Sequence, residues 1–273
     1  MAPHLTLNDG RTIPQIGFGT WQIESDKAAP SVYQALKDGY CLIDGAAIYD
    51  NEEGVGEGIR LSALPRESVY LTTKLWNPRH GDAADAMDES LARLGTEYVD
   101  LYLIHWPTPK QDLFVEAWKT MIELRKAAKT TSIGVSNFTI DNLKRIMDET
   151  GVVPAVNQIE LHPGFPQAEL RAFHEAHGIV TESWSPLGQG KILDHPQLAE
   201  IAAKYGKTPA QVALRWHIDL GLVVIPKSIT PSRIKENLEI FDFALDADDM
   251  AKIATMENGE RIGGNPETAN YGV

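Results

Sequence analysis

Val99-Asp100-Leu101-Tyr102-Leu103-Ile104-His105-Trp106 is an apolar run of strand length that ends on an imidazole. Two earlier stretches are built alike. Leu42-Ile43-Asp44-Gly45-Ala46-Ala47-Ile48-Tyr49 passes from apolar residues to a carboxylate with a phenol close behind, and Val69-Tyr70-Leu71-Thr72-Thr73-Lys74-Leu75-Trp76 reaches an ammonium. Parallel α/β barrels assemble their active sites from the C-terminal ends of strands, so these runs predict one fold and one site. Asp44, Tyr49, Lys74 and His105, brought together, make a group that can donate a proton to an oxygen.

Outward from these three, further apolar or β-branched runs bring the strand candidates to eight: 15–19, 40–44, 69–74, 99–105, 132–136, 155–158, 180–184 and 222–226. Longer segments of helical periodicity lie between them, the alternation of repeated βα units on a parallel sheet. Ser25 and Thr139 are placed to cap helices, Thr208-Pro209 gives an N-cap with proline at the first helical position, and Gly39, Gly95 and Gly206 close others. Residues 5–14 alternate around Asn8-Asp9-Gly10, a hairpin expected to close the barrel bottom. After the last barrel helix, 246–256 reads as one more helix, and 257–273 as a glycine-rich tail that could drape over the mouth. No linker divides the 273 residues, so the expectation is one α/β domain over 1–273, an (α/β)8 TIM barrel.

The net charge of -13 argues against nucleic acid or an anionic membrane as partner, since both call for a basic surface. Cys41 is the only cysteine, which excludes an intrachain disulfide and a thiolate metal cluster. The first residues have neither a basic start nor an apolar run, and no stretch approaches the ~20 apolar residues of a membrane span. These features predict a cytoplasmic protein, taken as a monomer. His174-Glu175-Ala176-His177 lacks the spacing of a helical zinc site, and no metal is expected.

Reduction of a carbonyl by hydride leaves an alkoxide that needs a proton. Tyr49 is the candidate acid, because a nearby ammonium favours phenolate and lowers the phenol's pKa from its usual ~10. Lys74 would supply that charge, Asp44 would hold Lys74, and His105 would orient the carbonyl oxygen. Tyr70 and Lys74 also match the Tyr-x-x-x-Lys pattern that one helical turn brings together. In a strand the same spacing separates them by roughly 13 Å, so Tyr70 is not the partner of Lys74.

Three longer motifs carry a resemblance. They are Gly39-Tyr40-Cys41-Leu42-Ile43-Asp44-Gly45-Ala46-Ala47 running on to Glu53-Gly54-Val55-Gly56; Ile133-Gly134-Val135-Ser136-Asn137-Phe138; and Ile225-Pro226-Lys227-Ser228 with Arg233-Ile234-Lys235-Glu236-Asn237. The chain resembles the aldo-keto reductase family along almost its whole length, and within it the bacterial 2,5-diketo-D-gluconic acid reductases. The resemblance implies NADPH as cofactor and the tetrad Asp44, Tyr49, Lys74 and His105 as catalytic. It places Ser136, Asn137 and Gln158 at the nicotinamide carboxamide, Trp184 under the nicotinamide ring, and Ser185, Leu187, Gly188 and Gln189 along the pyrophosphate. Gly19 and Thr20 also fall to the cofactor, as do Glu236 and Asn237 beside the adenine.

No G-x-G-x-x-G follows any strand, so the phosphates need another holder; Lys227 and Arg233 suit the 2′-phosphate, and Ser228 beside them falls to the cofactor as well. Trp21, Ile48, Tyr49, Trp76, His105 and Trp106 are expected to line the substrate pocket. Cys41, Gly45 and Thr131 depart from the family's usual residues, and Gly45 adds backbone freedom beside Asp44. The function expected is reduction of aldehydes and ketones, keto-sugar acids such as 2,5-diketo-D-gluconate among them. The alternatives are a nicotinamide-binding regulatory subunit of the potassium-channel β type with little turnover, and a barrel enzyme gripping a sugar phosphate.

Overall fold

A computed structural model describes residues 2–273. Strands β1 (His4–Thr6) and β2 (Thr12–Pro14) pair antiparallel, with the chain reversing through Asn8-Asp9-Gly10. Gly10 stands at φ 85°, a conformation that costs glycine little.

Eight strands follow: β3 (Gly17–Gly19), β4 (Leu42–Asp44), β5 (Tyr70–Leu75), β6 (Val99–Ile104), β7 (Thr130–Ser136), β8 (Val156–Glu160), β9 (Val180–Trp184) and β10 (Val223–Val224). Each pairs in parallel with the next in chain order. The cylinder closes where Ile16 bridges Val224, with hydrogen bonds from Val224 N to Gln15 O at 3.1 Å and from Gly19 N to Pro226 O at 3.0 Å. This seam is short because the expected strand 222–226 contracts to two residues; Pro226 has no N–H to continue the ladder.

Around the barrel run α1 (Ser25–Asp38), α2 (Glu52–Ser62), α3 (Ala83–Leu94), α4 (Phe114–Lys126), α5 (Ile140–Thr150), α6 (Ala168–Ala176), α7 (Pro196–Tyr205), α8 (Pro209–Asp219) and α9 (Pro231–Leu238), with α10 (Ala247–Ala254) after them. Thr139 and Thr208 cap α5 and α8 in reciprocal boxes with Asn142 and Gln211. Gly39, Gly95 and Gly206 end their helices in the left-handed conformation. Ser25 is a correction: it lies inside α1 behind Glu24, and its hydroxyl donates to Asp50 O at 2.5 Å, tying the helix start to the loop after β4.

Strand alternation sorts side chains into two layers. Leu42, Leu101, Leu103, Val156 and Val223 fill the lumen, and Leu7 and Ile13 of the hairpin plug it from below. On β5, Leu71 and Leu75 face the helices, while Tyr70 joins the lumen group and Lys74 points to Asp44. Gly134 on β7 has no room for a side chain: a Cβ there would stand 2.6 Å from Val156 O and 2.8 Å from a Leu103 methyl. The described residues include no helix long and apolar enough to cross a membrane.

Candidate active site

Lys74 occupies the lumen face of β5 near its C-terminal end and is fully buried. Its Nζ donates to Asp44 Oδ1 at 2.7 Å, to the Gly45 carbonyl at 2.8 Å and to the Tyr49 hydroxyl at 3.4 Å. Asp44 ends β4, and Tyr49 follows on a one-turn 3-10 helix, Ala47–Tyr49, which carries the phenol back over the strand end. Gly45 is no loose point, since its amide bonds Thr72 O at 2.9 Å and its carbonyl holds Lys74. A Cβ at that position would meet nothing nearer than 3.4 Å, so the glycine is tolerated rather than required.

His105 follows β6 directly, with its ring edge-on to Tyr49 at 5.7 Å and to Trp76 at 5.3 Å. Thus the four side chains expected to meet do meet. Tyr70 sits lower in the lumen; its hydroxyl is without a partner and does not bond Lys74.

The electrostatics differ from expectation at one point. Burial pushes the Tyr49 phenol up by more than Lys74 pulls it down, so its pKa stands above the ordinary value, not below it. The expected lowering counts charge alone, and desolvation outweighs it. Burial would push Lys74 down, but Asp44 and Tyr49 hold it above its ordinary value, so it stays an ammonium. His105 is driven well below its ordinary pKa by burial and by Lys74, which makes it neutral at physiological pH. A neutral imidazole can hydrogen-bond a carbonyl oxygen without competing for the proton.

The residues expected around the cofactor adjoin this centre. Gln158 on β8 donates to Asp44 Oδ2 at 2.7 Å, and Ser136 Oγ donates to Gln158 O at 2.8 Å. Asn137, at φ 63°, donates to His105 O at 3.0 Å and accepts from Trp184 Nε1 at 2.8 Å, fixing the indole plane. Thr20 bonds Asp44 O through both its amide and its hydroxyl, at 3.0 and 2.9 Å. After β9 the backbone is left-handed at Ser185, Gly188 and Gln189, with Leu187 between them. Such a run is uncommon outside glycine and clusters at functional loops.

Lys227 and Arg233 are exposed and make no ion pair among the described residues. Lys227 lies beside Gly19, where a methyl added to the glycine would be 3.7 Å from the lysine Cβ. Ser228 Oγ accepts from Thr230 N at 3.1 Å. Glu236 accepts from the Thr208 hydroxyl at 2.8 Å, and its neighbour on α9, Asn237, is buried.

Of the expected pocket residues, Trp21 and Ile48 are exposed, 42% and 44%, while Trp76 is half-buried and Trp106 buried. The tail runs beside Trp76 and Trp106. Fully buried Glu160, ending β8, accepts from the amides of Ile262 and Gly263 (3.0 Å for the second) and lies 3.3 Å from His162 Nε2. Burial would raise that carboxyl, but His162 and the two amides hold it below its ordinary pKa. Further along, Asn77 Nδ2 donates to Tyr271 O at 3.0 Å, Lys110 N donates to Asn270 Oδ1 at 2.8 Å, and Tyr271 stands edge-on to Trp106 at 5.3 Å. Sequence alone does not single out Glu160, Asn77 or Tyr271.

The arrangement is an ammonium-braced phenol beside a neutral imidazole, with aromatic walls and unspent cations nearby. The chain matches the model of the aldo/keto reductase family over residues 15–258. It is 50% identical over 265 residues to methylglyoxal reductase DkgA of Escherichia coli, 96% of each chain being covered. Identity is 51% over 273 residues, 99% of each chain, with an aldo-keto reductase of Mycolicibacterium smegmatis. A mutant of Gox0644 solved in complex with NADPH superposes with a TM-score of 0.95 at 49% identity, covering 98% of this chain and 99% of that one. By sequence, fold and the composition of its strand ends, the chain belongs to the aldo/keto reductase family.

Proposed function

We propose that Tyr49 is the general acid of this NADPH-dependent carbonyl reductase, with Lys74 braced by Asp44 as the source of its field and His105 as the group that orients the carbonyl oxygen. The observation that carries the reading is the Lys74 ammonium fixed among Asp44, the Gly45 carbonyl and the Tyr49 hydroxyl. A buried charge held in place acts on the reacting oxygen without reorganising. The phenol keeps its proton until an alkoxide forms beside it, since its pKa is raised at rest.

The residues present fit a phosphorylated dinucleotide. Two exposed cations, Lys227 and Arg233, make no ion pair among the described residues, and the Trp184 indole is fixed by Asn137. Lys227, Ser228 and Arg233 would hold the 2′-phosphate, Ser136, Asn137 and Gln158 the carboxamide, and Trp184 the ring face. When bound, NADPH supplies the hydride. The chain supplies the proton at Tyr49 Oη, the hydrogen bond from His105 and the walls of Trp76 and Trp106 that exclude water.

The substrates in this reading are small aldehydes and ketones, including keto-sugar acids such as 2,5-diketo-D-gluconate. The name of the Escherichia coli relative adds methylglyoxal. The reading extends to a cytoplasmic monomer of one barrel domain, residues 1–273, without a nucleic-acid partner; the net charge of -13 and the lone cysteine support it. Nothing favours a channel-type sensor, since the full-length relatives at 50% identity carry reductase names.

The test is NADPH oxidation with methylglyoxal and 2,5-diketo-D-gluconate by the native enzyme and by Tyr49→Phe. The variant is expected to bind NADPH as before and to lose about 10²- to 10⁴-fold in kcat. Full activity without the phenol refutes the acid assignment.

A further inference from the structure

The lumen contains a second acid that the tetrad does not use. Glu182, in the middle of β9, is fully buried, and among the described residues neither of its carboxyl oxygens has a hydrogen-bond partner. Asp44 has taken what is available: Lys74 occupies its Oδ1 and the Gln158 amide its Oδ2, each at 2.7 Å. The hydroxyls of Tyr70 and Thr72 on the same wall as Lys74 are themselves without partners, so neither donates to Glu182. A carboxylate with no cation of its own, and beside it only a Gln158 amide that already donates to Asp44, is costly in such a place, and the neutral acid is the favoured state. Burial first, and the Asp44 charge second, raise its pKa to about 8, against the smaller opposing pull of Gln158 and Lys74.

Strand alternation puts Glu182 on the lumen side with Lys74 and Tyr70 of β5 and Asp44 of β4, and its charge is felt by these three and by Tyr49 of the turn after β4. Its flanks are neutral, Gln158 opposite it on β8 and Val223 on β10. The two carboxyls of Asp44 and Glu182 therefore share one ammonium, already committed to the first and to Tyr49. We propose that Glu182 is a positioning residue of the proton donor: as a neutral acid it leaves Lys74 to Asp44 and Tyr49, and as an anion it keeps the proton on Tyr49. This rests on Tyr49 being the acid.

The sign follows from Coulomb's law. As pH rises, Glu182 loses its proton to solvent before Tyr49 does, and the new negative charge opposes a phenolate beside it. Carbonyl reduction, which needs the phenol, extends to higher pH; alcohol oxidation, which needs the phenolate, starts later.

Glu182→Gln keeps the shape of the neutral acid and cannot ionise, and Glu182→Met fills the space without a polar end. Carbon-13 placed at tyrosine Cζ reports ionisation of Tyr49 independently of turnover, its signal assigned by loss in Tyr49→Phe. In both variants, saturated with oxidised cofactor, Tyr49 is expected to ionise at a pH lower by about half a unit or more. The falling limb of carbonyl reduction should move by the same amount, with kcat at low pH within about twofold of native. A Tyr49 titration unmoved in both variants overturns the proposal, as does a loss of rate equal at every pH. Should one variant not fold, the other decides. An active Tyr49→Phe enzyme sinks the acid assignment instead, while unmoved titrations beside an inactive Tyr49→Phe enzyme sink only the role of Glu182.

Discussion

Lys74 differs from the pair Lys227 and Arg233 in how its charge is spent. Lys74 is wholly buried with three oxygen partners, whereas the other two are exposed and, among the described residues, without an ion pair. The first cation is committed during folding, and its effect on Tyr49 comes from being immovable. The others are kept uncommitted, so that a ligand supplies the partner they lack. Internal charges of this kind tie stability to chemistry, while free ones tie affinity to cofactor identity.

The strongest way to break that contrast is Lys74→Met. It leaves Asp44 buried beside Gln158 with no counter-ion, which costs about 3–5 kcal/mol of stability on the usual scale for a broken buried pair. The same change should lower kcat by about 10²- to 10⁴-fold, through loss of the field on Tyr49. Adding Asp44→Asn should return much of the stability and none of the rate, read by thermal denaturation and by NADPH oxidation. A Lys74→Met protein as stable as the native one would mean that the pair is not committed during folding.

Arg233→Ala probes the other side. A charge-assisted contact to phosphate is worth about 1.5–3 kcal/mol, so NADPH binding should weaken by roughly 10- to 100-fold. NADH, which lacks the 2′-phosphate, should bind within about twofold of native. The difference should shrink as salt rises, because the site is open to solvent. Equal losses for both cofactors would make Arg233 a structural residue of α9. Stability should hardly change, in contrast to Lys74→Met.

The two classes of charge are unequally legible in the sequence. Lys74 can be placed because strand alternation fixes both its face and its distance from the strand end, and Asp44 and His105 obey the same rule on β4 and β6. Lys227 and Arg233 are reached only through a resemblance, since an exposed cation has no period or burial to mark it. The sign of the Tyr49 shift escapes the sequence because it depends on how much water the fold removes, which no local pattern carries. Ser25 reads as a cap from its type, but its hydroxyl finds Asp50 across a loop instead. The clamp of Glu160 on Ile262 and Gly263 joins residues a hundred positions apart, and only the folded tail reveals it. Glu182 does leave a trace: it stands inside a buried strand, where an acid without a partner is rare.

The smallest expected effect asks why Arg233 is free at all. Glu236 lies one turn along α9, at the i,i+3 spacing where an ion pair would ordinarily form. The Thr208 hydroxyl captures its carboxylate at 2.8 Å instead, while also capping α8 through Gln211 N. Thr208→Val should cost about 1 kcal/mol through the lost cap. It should also release Glu236 to compete for Arg233, weakening NADPH by about two- to threefold, the scale of an exposed helical pair. Thr208→Ser, which restores the hydroxyl, should restore both. If Thr208→Val lowers stability with NADPH affinity unchanged, the capture of Glu236 serves the helix alone, and Arg233 owes its freedom to geometry rather than to its neighbour's being occupied.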